Sequence, residues 1–198
     1  MLYLINGAPR SGKDTLARVL MDLAGGVHIK LARELKERCH RLYRLDMAHD
    51  YFEHWKDSPL PEFLGISPRR AYIEFHERYL KPVHGAEVLG RLLIDREERS
   101  ARMLRVTPIW SRLTNAIVSD AGQKEQCLPL VRAWGADRVT LIRLHREGVS
   151  WNDNREPINL EAEGARMVFI TNPGDSVENL TKVVRDVLPE VLGSSTPA

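Results

Sequence analysis

The chain has 198 residues, with 29 basic and 27 acidic side chains for a net charge of +2, so it suits one α/β domain with a core of its own, and bulk charge neither demands nor excludes nucleic acid. Two cysteines far apart exclude a disulfide framework and CxxC chemistry, which leaves Cys39 and Cys127 as reduced, partly buried small residues. No signal peptide is apparent and no apolar run approaches membrane-spanning length, so a soluble cytoplasmic protein with no membrane partner is expected.

The first apolar run, Leu2 to Ile5, has strand character. Gly7-Ala8-Pro9-Arg10-Ser11-Gly12-Lys13-Asp14-Thr15 follows it, and Leu16, Val19, Leu20 and Leu23 then recur at helical spacing. Glycine, four residues and Gly-Lys between a strand and a helix is the phosphate-binding P-loop arrangement. The glycines let the backbone curl so that successive N–H groups converge on a phosphate at the positive helix end. Lys13 adds a mobile charge able to reach the β- and γ-phosphates. Ser or Thr normally follows that lysine and holds magnesium through its hydroxyl; here Asp14 follows, with Thr15 next. A bound nucleoside triphosphate, ATP with Mg2+, is expected, with Gly7, Pro9, Arg10, Ser11, Gly12, Lys13, Asp14 and Thr15 around it.

Gly25-Gly26 stops the first helix, and Val27 to Lys30 reads as a short strand. A helix follows with Leu31, Leu35, Cys39 and Leu42 on one face. Arginine is dense at 33–44 and 91–112, and a solvated helix face is the plain explanation of each. From Asp46 to Gly65 the periodicity dissolves into a segment rich in His, aromatics and Pro, the kind of stretch that serves as a lid or mobile loop. Ser67-Pro68 starts a new helix that ends before Pro82, and a second helical pattern runs from Gly85 to Arg102.

Asn115 to Ser119 is a buried strand with Asp120 at its carboxyl end. A helix to Trp134 ends on Gly135, and Val139 to Leu144 is the next strand. Residues 145–157 are polar and turn-rich, a short lid carrying Arg146 and Arg155. Met167 to Thr171 is the last strand, and a helix capped by Asp175 or Ser176 runs on to Val191. The alternation predicts an α/β fold, a parallel sheet with helices on both faces and ligands outside the carboxyl ends of its strands. One domain, 1–193, is expected, with a helical insertion at about 46–112, the lid, and a frayed tail at 194–198.

The order of these pieces resembles P-loop nucleoside and nucleotide kinases. The Gly-Lys-Asp-Thr variant is similar to the branch containing phage deoxynucleoside monophosphate kinases, as are Lys30-Leu31-Ala32-Arg33-Glu34-Leu35-Lys36, Ser67-Pro68-Arg69-Arg70, Ile117-Val118-Ser119-Asp120 and Phe169-Ile170-Thr171-Asn172. Those enzymes continue from the paired arginines into a Leu-Gly-Thr-acid motif. This chain has Phe75-His76-Glu77-Arg78-Tyr79-Leu80-Lys81-Pro82-Val83-His84-Gly85 instead, which is similar to phage P-loop kinases of 5-hydroxymethyluracil in DNA. The resemblance implies transfer of the γ-phosphate to that hydroxymethyl group, a step in thymine hypermodification. A deoxynucleoside monophosphate is the alternative acceptor, and a nucleotide-gated binding protein without catalysis is the alternative outside enzymes.

A hydroxymethyl group is a poor nucleophile and benefits from a carboxylate that accepts its proton. Asp14 suits that task, or equally the coordination of magnesium or water. Asp120 is the other carboxylate, acting through magnesium-bound water or the acceptor, with a helix cap as its competing role. Arg146 and Arg155 are the lid charges for the transition state, whereas Arg143 reads as a strand-end residue. Asn172 and Pro173 stand where related kinases hold adenine, and a turn would use the same residues. The resemblance places Arg33 in the substrate site. Arg69 and Arg70 suit an acceptor or DNA phosphate, or simply face water. His76, Tyr79, His84 and Trp55 suit contact with an extruded base, or packing.

Overall fold

The computed structural model describes residues 1–46, 49–111, 115–151 and 156–192. Its centre is β1 (Leu2–Gly7), buried along its whole length. The side chains of β1 alternate: Leu2 and Leu4 enter one core, Tyr3 and Ile5 the other. A strand buried on both faces reads as a continuous apolar run, and that is the signature of a central parallel strand.

Around it lie β2 (Val27–Ile29), β3 (Ala116–Val118), β4 (Val139–Arg146) and β5 (Arg166–Asn172) in the order β2-β3-β1-β4-β5. Every pairing is parallel. The helices α1 (Lys13–Ala24) and α7 (Val177–Leu192) cover one face through Leu16, Leu20, Leu180 and Val184. On the other face lie α2 (Ala32–Leu42), α3 (Pro68–Phe75), α5 (Val88–Leu104) and α6 (Lys124–Trp134). This is an α/β fold with a five-stranded, all-parallel sheet between helices. Gly90 allows α5 to lie close on α6, because a Cβ there would stand 2.2 Å from the Gln126 carbonyl. Among the described residues no helix is long and apolar enough to cross a membrane.

Three expectations change. First, the irregular segment before α3 is anchored. Phe52 and Phe63 are 1% and 0% exposed and pack edge-on at 5.1 Å, with His40 and Tyr72 closing the cluster around them. The two rings sit on short 3-10 helices, His49–Glu53 and Pro61–Phe63, and aromatic burial of this kind holds such a segment in place. Second, the helix expected to stop before Pro82 continues. A π turn at His76–Leu80 joins α3 to α4 (Lys81–His84), and Lys81 N–H bonds back to the His76 carbonyl. Pro82 then falls in the first turn of α4, where its missing N–H is tolerated. Third, β4 runs on through His145 and Arg146, which pair with Thr171 and Asn172 of β5, so the start of the expected lid is strand. Of the rest of that lid, residues 152–155, with Arg155, lie outside the described residues, as does the tail at 194–198.

The helix caps agree with the sequence. Ser67 accepts from the Arg70 N–H, and Ser176 accepts from the Asn179 N–H. Cys39 and Cys127 are buried free thiols.

Candidate active site

The loop from β1 to α1 lies at the carboxyl ends of the strands. Arg10 takes a left-handed conformation at φ 66°, and Gly12 does so at φ 97° where α1 begins. Ser11 N–H bonds back to the Ala8 carbonyl at 3.2 Å, while the buried Ser11 Oγ has no hydrogen-bond partner among the described residues. The Lys13 ammonium lies over the loop and donates to the Gly7 and Ala8 carbonyls, each at 2.8 Å. Neutral carbonyls hold an ammonium less strongly than an anionic acceptor does.

Two side chains at the end of the sheet brace this loop. Asn172 Nδ2 donates to the Ser11 carbonyl, and Asn172 Oδ1 accepts from Gly174 N–H. Arg146 donates to the Arg10 carbonyl at 3.4 Å and to the Gly174 carbonyl at 3.1 Å. Asn172, expected at adenine, therefore holds the loop by its amide, and Pro173 beside it is exposed. Arg146 lies against the loop, at the end of β4.

Asp14, in the first turn of α1, is 60% exposed. Its Oδ1 accepts from the Ser119 hydroxyl at 2.6 Å, and its Oδ2 accepts from the Lys30 ammonium at 3.2 Å. His28 Nε2 stands 2.7 Å from Ser119 Oγ and 3.9 Å from Asp14 Oδ1. Burial pushes the Asp14 carboxyl up, but the Ser119 hydrogen bond, Lys30 and His28 outweigh it and hold the group below its ordinary value. Burial, seconded by Lys30, pushes His28 down against the pull of Asp14 and Asp120. Asp14 is thus an anion beside a neutral imidazole at neutral pH.

Asp120 has a different setting. Its two oxygens accept the N–H groups of Leu31 and Ala32, each at 2.9 Å, so it caps the start of α2 from the neighbouring strand end. The helix it caps is the one after β2, distant in sequence. Burial raises its carboxyl, against the opposing pull of the two amides and of Lys30 and Lys36.

Magnesium keeps several waters and takes one or two carboxylates besides substrate phosphates. Asp14 with the adjacent Thr15 fits that donor set. Among the described residues no three His, Cys, Asp or Glu side chains gather into a closed metal site.

The insertion approaches the loop through Asp57, which pairs with Arg69 and lies close enough to Arg10 to feel its charge. Beside Asp14, a recess of about 490 Å3 is lined by Lys30, Arg33, Lys36, Glu53 and Arg96 among others. Lys36 is paired there with Glu53, and Arg33 with Glu37 at 2.9 Å. The other expected acceptor residues have their partners within the insertion. Arg70 bonds Glu74, and Tyr79 lies 6.1 Å from the Phe75 ring. Buried His76 bonds Glu77 through Nδ1, and Trp55 is half-exposed against His54. His84 lines a separate open groove of about 930 Å3 between α4, α5 and α6. Arg143, on β4, lies 5.1 Å over the ring of exposed Phe169.

Sequence reasoning missed His28, Lys30 and Ser119 as site residues. Two faint signals were present: a histidine inside a three-residue strand, and a serine directly before Asp120. No protein-family model matches the chain, and no curated protein matches it.

Proposed function

We propose that the chain is an ATP- and magnesium-dependent P-loop kinase whose acceptor is the hydroxymethyl group of 5-hydroxymethyluracil in DNA. The observation that carries this reading is Asp14: an ionised, half-exposed carboxylate one residue after Lys13, at the sheet end where a phosphate-cradling loop would hold its ligand. The sheet order and parallel strands are compatible with that fold class.

In this reading the loop amides hold the β- and γ-phosphates, and Lys13 leaves the Gly7 and Ala8 carbonyls to stabilise charge on the transferred group. Asp14 accepts the proton of the acceptor hydroxyl. The acceptor oxygen forms a bond to the γ-phosphorus while the bridging bond to the β-phosphate oxygen breaks, and ADP leaves with that electron pair. Thr15 would hold magnesium, which would supply neutralising charge to the phosphate oxygens; were Asp14 its ligand instead, Asp14 would not be the base. Arg146, already against the loop, is a positive side chain placed to follow the transferred phosphate.

A deoxynucleoside monophosphate acceptor is the second reading, and one observation favours it. Lys30, Arg33, Lys36 and Arg96 line the recess beside Asp14 together with Asp50, Glu53 and Glu97, and an acceptor phosphate would draw these cations from their carboxylate partners.

The test offers γ-labelled ATP and magnesium with two acceptors in parallel: DNA containing 5-hydroxymethyluracil, with thymine DNA as control, and a panel of deoxynucleoside monophosphates. Label in the modified DNA alone is the expected result. Label in a monophosphate alone replaces the acceptor, and ATP binding without transfer to either supports a nucleotide-gated binding protein. Lys13→Ala should lose transfer by roughly 100-fold or more with the fold intact; substantial residual activity would refute the site.

A further inference from the structure

In the resting structure the two oxygens of Asp14 are not equivalent. Oδ1 accepts the Ser119 hydroxyl, whose side chain is buried at the end of β3. Oδ2 meets only the Lys30 ammonium among the contacts described, and Lys30 is half-exposed on a flexible stem. Ser119 in turn has its own orienting partner. Because its single hydroxyl proton goes to Asp14, Ser119 Oγ is an acceptor towards His28 Nε2 at 2.7 Å, which requires the imidazole proton on Nε2. The chain of donors therefore runs in one direction, from His28 through Ser119 to Asp14.

We infer that Ser119, oriented by His28, is a positioning residue. It anchors Oδ1 of Asp14 and thereby presents Oδ2 to the acceptor. Asp14 itself lies in the first turn of α1 with its side chain largely in solvent. An exposed carboxylate loses its rotamer and the direction of its lone pairs unless a rigid neighbour holds one oxygen. The end of a buried strand is such a neighbour, and Lys30 is not. Lys30 screens Oδ2 while the site is empty and has to yield when the acceptor hydroxyl arrives. The inference rests on the reading of Asp14 as the group that acts on the acceptor.

The test compares wild type, Ser119→Ala, Ser119→Thr, His28→Ala and Asp14→Asn in the labelled-ATP assay with hydroxymethyluracil DNA, and adds the Asp14→Asn/Ser119→Ala double variant. Ser119→Ala should lower kcat by roughly 10- to 100-fold while KM for ATP stays within about twofold. Ser119→Thr keeps the hydroxyl and should recover most of the rate. In the Asp14→Asn background, losing Ser119 should add almost nothing, because the two act as a unit. Full activity in Ser119→Ala beside a crippled Asp14→Asn overturns the positioning role and leaves the kinase reading standing. Full activity in Asp14→Asn overturns the role of Asp14 itself, and this inference with it. Thermal unfolding of each variant separates lost positioning from lost fold. If Ser119→Ala does not fold, His28→Ala, which removes the Nε2–H donor to Ser119, carries the test with the same kcat-against-KM criterion.

Discussion

The side-chain amide of Asn172 donates to the Ser11 carbonyl at 2.8 Å, tying the end of the last strand to the loop after the first. Gly12 lies beneath that amide: a Cβ at residue 12 would stand 2.4 Å from Asn172 Nδ2, at a φ of +97° that strains any L side chain. Gly12→Ala should therefore distort the loop and cost about 1–3 kcal/mol of stability. Asn172→Ala leaves the Ser11 carbonyl and the Gly174 N–H without partners and should cost a similar amount, about 1–3 kcal/mol. In the double variant the steric part disappears, so the two losses should sum to less than additive in denaturant unfolding. Strict additivity would mean the amide does not set the shape of the loop.

Asp120 holds the first amides of α2, which makes it a stability residue whatever else it does. Asp120→Ala should lower the unfolding free energy by about 2 kcal/mol, as loss of a charged helix cap does. Asp120→Asn retains an acceptor oxygen and should lose less. Unfolding curves without nucleotide or magnesium isolate this effect, and an unchanged midpoint for Asp120→Ala would contradict the cap.

His28 gives the fold a specific pH dependence. Burial depresses its pKa below the ordinary 6.5, so the unfolded chain binds a proton there before the native one does. The stability tied to neutral His28 is complete above the unfolded value and is lost as pH falls through the folded one. The depressed carboxylates, Asp14 among them, follow the same sign but act in a lower window, below the ordinary 3.8 for Asp14. Wild type should lose stability between pH 7 and pH 5, and His28→Gln should flatten that limb. An identical slope in the variant would assign the limb to other groups.

Cys39 and Cys127 are both buried, and burial pushes each thiol up to about 12. At pH 8 neither has appreciable thiolate, which is the reactive form. Iodoacetamide followed by mass spectrometry should find no label on native protein and two labels after guanidinium unfolding. Rapid labelling of the native chain would show that one of these packed regions opens.

Much of this architecture was readable from local pattern. Alternating apolar runs and 3.6-residue periodicity located all five strands and the main helices, because burial on one or both faces forces those repeats. The spacing of Gly7, Gly12 and Lys13 marked the loop, and Ser67 and Ser176 marked two helix starts, because caps and tight turns demand particular residues within a few positions. The anchored segment around Phe52 and Phe63 was unreadable for the opposite reason. Its order comes from His40 and Tyr72, which belong to other helices.

Tertiary structure alone decided which polar groups meet. Ser119 is 105 positions from Asp14 and 91 from His28, and Asp120 is 89 from Leu31. Their encounters depend on the parallel register that sets Ile29 beside Val118 and on the seating of α1 and α2 at the strand ends. A hydrogen bond fails within a fraction of an ångström, whereas apolar periodicity tolerates several residues of drift. The sequence alone therefore established the frame and the loop, while the partners of Asp14, Asp120 and Asn172 followed from how the strands align.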